Sequence, residues 1–460
     1  MKLLNGIEKL FKSFLPTPFT IAILITIVTF ILAFTLTDSD VGSGERGMEL
    51  VGYWYNGLWK DSMLVFAVQM MLMLVLGHAV ALTKPVDYVM RAATHFCKST
   101  ASAAFTVTLL TILVSLFNWG LGLIFGAILA RKVGEHAYKN GISLNYALIG
   151  AAGYSGLMVW HGGISGSAPI KAAESGHIAS LMEGILPAEQ IAELPNAIPF
   201  SETVFGMMNI VVMLALIVCV PLFMFWLGKR SQVSLELPKV IGENEEKNAS
   251  DDQQKLDVSP WFSRIIGGLI FAYALYVAVH AMYEGRDFIK PNFINFTLLG
   301  MALVLHSNVD GFLKAIDQAI RGAAGILVQF PLYFGIMGLM VGSGLIHVFS
   351  DFFVSISSEA SFPIYSFMSA GIVNVFVPSG GGQWGVQGPI IIQSALELGV
   401  SLPKSIMALA YGDQLTNMLQ PFWALPLLGI TGLKAKSILP YTLAMMLVGG
   451  TIYLLALLIF

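Results

Sequence analysis

Asp413 stands inside a long apolar stretch, beside Gly412, Gln414, Thr416 and Asn417. An ionisable side chain in such surroundings is costly unless it is hydrated, paired or protonated, and by default it marks a functional position. Its neighbours add amide oxygens and a hydroxyl. Together these form hard oxygen ligands suited to Na⁺, with Asp413, Asn374 and Asn417 as candidate ligands, or a site that takes up a proton. A structural carboxylate bonded to nearby backbone is the alternative. Pro421, a little further on, removes a backbone donor and favours a break in the helix there.

A second polar interruption reads Tyr154-Ser155-Gly156-Leu157-Met158-Val159-Trp160-His161-Gly162-Gly163. Ser155, Gly156, His161, Gly162 and Gly163 are its candidate site residues, because glycine lets a backbone leave the helix at low cost. The N–H groups freed at such a break can hold a carboxylate without arginine, and no arginine lies in mid-span here. His161 can be read as an added donor, a proton carrier or a hydrogen-bonded boundary histidine. Two further apolar regions, 101–131 and 363–395, are too long for one spanning helix and too short for two with a turn, so each is expected to be a re-entrant hairpin. Their tips would be Asn118-Trp119-Gly120 and Pro378-Ser379-Gly380-Gly381-Gly382. Asn118, Asn374, Ser379, Gly380, Gly381 and Gln383 would then reach substrate or ion, unless the asparagines only cap the turns. Trp119, Trp160, Trp384 and Trp423 lie beside the polar breaks, where they could wall an apolar cavity or serve as packing and interface anchors.

Hairpin and break recur. Gln69 and Gln329, Phe117 and Phe376, and His161 and Gln420 are each separated by about 260 positions, which makes the chain an internal repeat. Interrupted hydrophobic segments at matching places in two halves are the sequence pointer to a transporter's binding site. Apolar residues make up 56% of the chain and charged residues 12%, which excludes an ordinary soluble fold and indicates a polytopic, all-α membrane protein. About nine spanning helices are expected, near 17–36, 62–83, 144–160, 204–228, 265–283, 293–306, 322–346, 405–428 and 438–460, besides the two hairpins. Residues 1–230 form the first repeat, with a hairpin at 101–131 and a broken helix at 144–170. Residues 231–262 form a polar cytoplasmic linker. Residues 263–460 form the second repeat, with a connecting helix at 265–283, a hairpin at 363–395 and a broken helix at 405–428.

The cations set the orientation. With Lys2, Lys9 and Lys12 inside, the clusters Lys84, Arg91 and Lys98, then Arg131, Lys132 and Lys139, then Lys229 and Arg230, and finally Lys434 and Lys436 all fall inside. The region 165–203, with Glu174, Glu183, Glu189, Glu193 and Glu202, falls outside. The two halves then run oppositely across the membrane, an inverted-topology repeat with broken helices at the midplane. Other classes fit poorly. There is no basic cluster for nucleic acid, Cys97 and Cys219 lack redox or zinc spacing, and Ser379-Gly380-Gly381-Gly382-Gln383 lacks the lysine of a P-loop. Gly163-Ile164-Ser165-Gly166-Ser167 ends in serine where a hydrolase elbow requires glycine. No enzyme activity and no organic cofactor are expected.

The strings Val377-Pro378-Ser379-Gly380-Gly381-Gly382-Gln383-Trp384, Gly412-Asp413-Gln414-Leu415-Thr416-Asn417-Met418-Leu419-Gln420-Pro421-Phe422-Trp423-Ala424-Leu425-Pro426 and Trp160-His161-Gly162-Gly163 resemble the bacterial short-chain fatty acid transporter family, within the wider ion-transporter superfamily. The resemblance implies a secondary transporter of acetoacetate, butyrate and similar monocarboxylates in the inner membrane, working by alternating access, coupled to H⁺ or Na⁺, and homodimeric. By position it places cation and carboxylate at Asn118, Asn374, Ser379, Asp413, Thr416 and Asn417. The Ser-Asn-Thr triplets of dicarboxylate members are not reproduced at either tip. A carrier of another small anion, such as a dicarboxylate, or a channel-like facilitator is the alternative.

Overall fold

The computed structural model describes residues 18–37, 42–231, 256–283, 288–376 and 379–460. The three N-terminal lysines, most of the linker, and Pro378 of the second tip lie outside these residues. In the first half the helices are α1 (Pro18–Leu36), α2 (Ser43–Leu58), α3 (Asp61–Ala81), α4 (Lys84–Thr94), α5 (Thr100–Phe117), α6 (Trp119–Lys139), α7 (Tyr146–Tyr154), α8 (Ser167–Ala172), α9 (His177–Met182), α10 (Ala188–Glu193) and α11 (Met207–Arg230). In the second half they are α12 (Pro260–Tyr283), α13 (Pro291–Leu305), α14 (Val309–Gly342), α15 (Leu345–Ile356), α16 (Phe362–Phe376), α17 (Gly380–Leu398), α18 (Leu402–Thr416), α19 (Pro421–Thr431) and α20 (Ala435–Ile459).

A bilayer core leaves no water for exposed backbone groups, so an apolar chain crosses it as helices that bond internally. Six described helices are long and apolar enough to do so: α3, α5, α11, α12, the Ala323–Gly342 part of α14, and α20. Shorter apolar helices occur at Ala22–Leu36, Pro291–Leu305, Leu345–Ile356 and Phe362–Val375. The order from α3 to α11 matches that from α14 to α20: a span, a short helix, a hairpin, a broken helix, a closing span. Five short helices, α2, α4, α9, α10 and α15, are additions to the sequence reading. α2 and α4 mix polar and apolar residues, so neither stands out as a hydrophobic run, α9 and α10 have six residues each, and α15 is apolar but too short to cross a bilayer.

The first hairpin turns on one residue. Asn118 is extended (φ −149°, ψ 124°) and its Oδ1 accepts the Leu121 N–H at 2.8 Å, which starts α6. The legs close tightly enough that a Cβ on Gly122 would lie 2.0 Å from Ser115 Oγ. The second leg runs past Arg131 and Lys132, where the charges had suggested its end. The structure carries both charges within the helix: Arg131 pairs with Glu135 at 2.8 Å and donates to Ile430 O at 3.1 Å, and Lys132 pairs with Asp87 of α4 at 2.5 Å. In the second hairpin Ser379 Oγ accepts the Gly382 N–H at 3.2 Å and starts α17.

Candidate functional site

Each helix break strands backbone groups that must find partners. Here the two breaks supply one another. After α7 the chain forms single turns at Ser155–Met158 and Trp160–Gly162 before α8, and after α18 a turn at Asn417–Leu419 before α19. Gln414 Oε1 accepts the N–H groups of His161 and Gly162 at 2.8 and 3.1 Å. Asn417 Nδ2 donates to Leu157 O at 3.2 Å, and the Tyr154 hydroxyl lies within reach of Asn417 O and Gln420 O. Tyr453 of α20 accepts from Gln414 Nε2 at 2.8 Å and donates to Met158 O at 2.5 Å.

At the centre of this lacing, His161 Nδ1 lies 2.6 Å from Asp413 Oδ2, with both side chains buried. The Ala168 N–H donates to His161 Nε2 at 2.9 Å. A neutral imidazole has one donor and one acceptor nitrogen. With Nε2 accepting, the ring proton sits on Nδ1, and Asp413 Oδ2 must accept it. Asp413 Oδ1 is buried without a hydrogen-bond partner among the described residues. The start of α8 is therefore filled by His161 rather than left open for an anion.

The glycines of the first break serve close approach rather than unusual backbone, since none has positive φ. A Cβ on Gly156 would lie 1.9 Å from Ser115 Oγ, and one on Gly163 would lie 2.4 Å from Leu116 O, so both glycines seat the break against the first hairpin. Gly162 O accepts from Asn209 Nδ2 at 2.9 Å, and Ser155 Oγ bonds back to Ala152 O at 2.8 Å.

Asn374 fastens the second hairpin to the second break. Its Nδ2 lies 2.6 Å from Asp413 O, 2.9 Å from Thr416 Oγ1 and 3.0 Å from Asn417 Oδ1. Its Oδ1 is buried and unpartnered among the described residues, as is Gln383 Oε1, while Gln383 Nε2 spans the hairpin to Ala370 O at 2.9 Å. Among the Na⁺ candidates, Asp413 and Asn374 thus offer open oxygens, and Asn417 Oδ1 is engaged by Asn374. Among the described residues no cluster of three or more His, Cys, Asp or Glu could hold a metal ion.

Both tips and both breaks meet around a cavity of about 20 Å³, lined by Trp119, Trp160, Trp423, Gly380, Gly381 and Asn417, with Met70, Phe330, Ser167, Leu157 and Ser379 completing the wall. Among the described residues, two indole N–H groups, Trp119 Nε1 and Trp160 Nε1, are buried without partners, and so is Asn118 Nδ2. Trp160 stacks on the His161 ring at 4.5 Å and 17°. Trp384 is not part of this wall, because its Nε1 donates to His177 Nε2 at 2.9 Å. Two larger hollows, of about 660 and 630 Å³, lie elsewhere and contain none of the predicted site residues. Met70, Phe330, Ser165 and Tyr453 escaped the sequence reading. Met70 and Phe330 lie next to the paired Gln69 and Gln329, Tyr453 sits in an uninterrupted span, and Ser165, which accepts the Trp119 N–H at 2.9 Å, falls in the first broken helix but was not singled out as a site residue.

The sequence profile described as "Short chain fatty acid transporter" matches residues 2–460. A protein of Escherichia coli strain K12 is 37% identical over 453 residues, covering 97% of this chain and 96% of its own. One of Haemophilus influenzae strain Rd is 35% identical over 460 residues, with 97% and 96% covered. Both are named "Putative short-chain fatty acid transporter". Two solved structures share the fold at 15% identity. The YdaH transporter of Alcanivorax borkumensis has a TM-score of 0.55 over 96% of this chain and 97% of its own, and MtrF of Neisseria gonorrhoeae has 0.57 over 99% and 96%.

Proposed function

The chain belongs to the short chain fatty acid transporter family, and from that membership we propose that it carries small monocarboxylates such as acetoacetate and butyrate by alternating access, driven by H⁺ or Na⁺ bound at Asp413. As a family member it is a multi-pass membrane transporter of small carboxylates rather than an enzyme. Placement in a bacterial inner membrane with the N-terminus in the cytoplasm is part of the proposal, and the distribution of lysine and arginine supports it.

The observation that carries the coupling is the open, buried Oδ1 of Asp413 beside a histidine that links it to the cavity. A cation arriving at Oδ1 alters the charge felt by His161, and the His161 ring stacks on Trp160, a wall of the cavity. For a proton, the tautomer of His161 reserves Oδ1 as the receiving atom. For Na⁺, Asn374 Oδ1 is the second open oxygen, and turning that amide would free Asn417 Oδ1 as well. The unpartnered indole N–H groups of Trp119 and Trp160 suit a carboxylate, and Met70, Leu157 and Phe330 suit a short acyl chain. At about 20 Å³ the cavity holds one water, so substrate enters only when a wall moves.

The test is uptake of labelled butyrate and acetoacetate into liposomes containing purified protein, under an imposed Na⁺ or H⁺ gradient. Protein-free liposomes set the baseline, because weak acids leak across bilayers in protonated form. Accumulation above baseline under one gradient identifies the coupling ion. No uptake of either compound under either gradient removes the substrate assignment.

A further inference from the structure

One buried cation lies close to the cavity and is used by nothing described above. Lys171 is on α8, one turn beyond the cavity residue Ser167, and among the described residues it is the only buried lysine. Its ammonium sits 5.2 Å over the Phe66 ring. Phe66 packs on the cavity residue Phe330 at 6.2 Å, and a Cβ on Gly381 would meet both rings near 3.0 Å. One aromatic layer therefore separates Lys171 from the second hairpin tip.

A buried ammonium requires an anion, since leaving it unpaired is strongly unfavourable. That anion is now Glu174, whose Oε2 pairs with Lys171 Nζ while its Oε1 lies 3.5 Å from Gln69 Nε2. An ammonium on one oxygen and an amide N–H facing the other is a cradle for a carboxylate. The two partners differ in freedom. The Lys171 side chain is 5% exposed, and that of Glu174 is 24% exposed on a turn leading to Gly176, where φ is +74°. Once another carboxylate takes its place on Lys171, Glu174 can swing into water, whereas Lys171 cannot. The cradle also reaches the second half, because Gln69 Nε2 donates to Asn292 Oδ1 at 3.0 Å. Among the described residues Gln69 Oε1 is buried with no partner, an open position in the same cluster.

We propose that Lys171 and Gln69 form a carboxylate-binding site in which Glu174 stands in for the substrate, and that a substrate carboxylate displaces Glu174 on its way to or from the central cavity. The inference rests on reading the protein as a carboxylate transporter. It assigns a charged docking position to a stretch that the sequence placed in an outer loop.

The test pairs uptake kinetics in liposomes with thermal unfolding of the detergent-purified protein in acetate, butyrate, succinate or the neutral butyramide. Lys171→Gln should raise KM for butyrate roughly tenfold, the loss expected for one charge-assisted hydrogen bond, and Lys171→Arg should retain most of the affinity. Glu174→Gln should unfold at lower temperature without ligand yet gain more from butyrate than the wild type, and its KM should fall, because the internal competitor is gone. A purely structural ion pair predicts the lower stability but neither the larger gain nor the lower KM, and that result overturns the proposal. Lys171→Gln/Glu174→Gln removes both charges and guards against misfolding; an unchanged KM in this variant also overturns it. If succinate rather than butyrate stabilises the wild type, and does so only with Lys171 present, the site stands and the monocarboxylate assignment falls. If no carboxylate stabilises the wild type, the site falls.

Discussion

His161 has both ring nitrogens committed, one to Asp413 and one to the Ala168 N–H, which makes it a neutral donor and acceptor rather than a cation. Doubly protonated, it would turn Nε2–H against a backbone N–H. A side chain with one donor and one acceptor at similar reach should therefore serve in its place. His161→Gln is expected to keep measurable uptake, whereas His161→Ala, which strands the Ala168 N–H and an Asp413 oxygen, should lose it and cost about 1–3 kcal/mol of stability. Equal loss in both variants, measured in liposomes and by thermal unfolding, would show that a neutral donor and acceptor does not replace the ring. Asp413→Asn keeps the shape but removes the open anionic oxygen, so gradient-driven accumulation should fall at least about tenfold while the protein remains folded. Accumulation unaffected by that change would return Asp413 to a structural role. Asp413 was legible in the sequence because a carboxylate in an apolar span is conspicuous. Lys171 was not, because its burial depends on α8 folding back beside α3 and nothing in its neighbouring residues indicates that.

Glycine density marked the first break, but the reason for it lies in packing. In the first break Gly156 is where the chain rests on the first hairpin, and the obstacle to a side chain is Ser115. Gly156→Ala should cost about 1–3 kcal/mol by overpacking. Adding Ser115→Gly removes the two nearest colliding atoms and should recover much of that loss, a coupling that a double-mutant cycle on thermal stability would show. Additive losses would mean that the hairpin and the break are not docked there. The short helix α4 escaped the sequence reading, yet it is fastened to the hairpin by Asp87. Burial by itself would raise the Asp87 pKa, but the hydrogen bonds and charges of Lys132 and Arg91 outweigh this and hold it below the ordinary carboxylate value. Because the folded value is depressed, this contribution is present above the unfolded pKa of about 3.9 and is lost as pH falls through the folded one. Asp87→Asn should therefore narrow the stability difference between pH 7 and pH 3 in detergent. An unchanged difference would show that Asp87 is not among the groups responsible for acid sensitivity.

How far the two halves interpenetrate could not be read from the sequence, since apolar spacing shows which segments are helices and leaves open which of them meet. Their contacts run the length of the protein. Arg131 donates to Ile430 O, Tyr146 to Thr431 O at 3.1 Å and Asn145 to Tyr441 Oη at 2.8 Å, while Asn295 donates to Gln69 O at 2.9 Å and the His306 ring lies 2.9 Å from Ala79 O. α1 and α2 of the first half pack along α14 of the second. Above all, the His161 and Gly162 N–H groups and the Leu157 and Met158 carbonyls of the first break are satisfied by Gln414, Asn417 and Tyr453 of the second half, and the Asn417 and Gln420 carbonyls by Tyr154 of the first, so neither half alone can bury its break without stranding these groups in the apolar core. Between halves that already hold one another, a covalent connection adds mainly loop-closure entropy, which changes slowly with length. Two separate chains, 1–240 and 241–460, made together in one cell, are therefore expected to purify as a complex and to take up substrate in liposomes. Either chain made alone should fail to accumulate as folded protein. If the two chains do not associate, or if one folds without the other, the mutual satisfaction of the breaks does not hold the protein together.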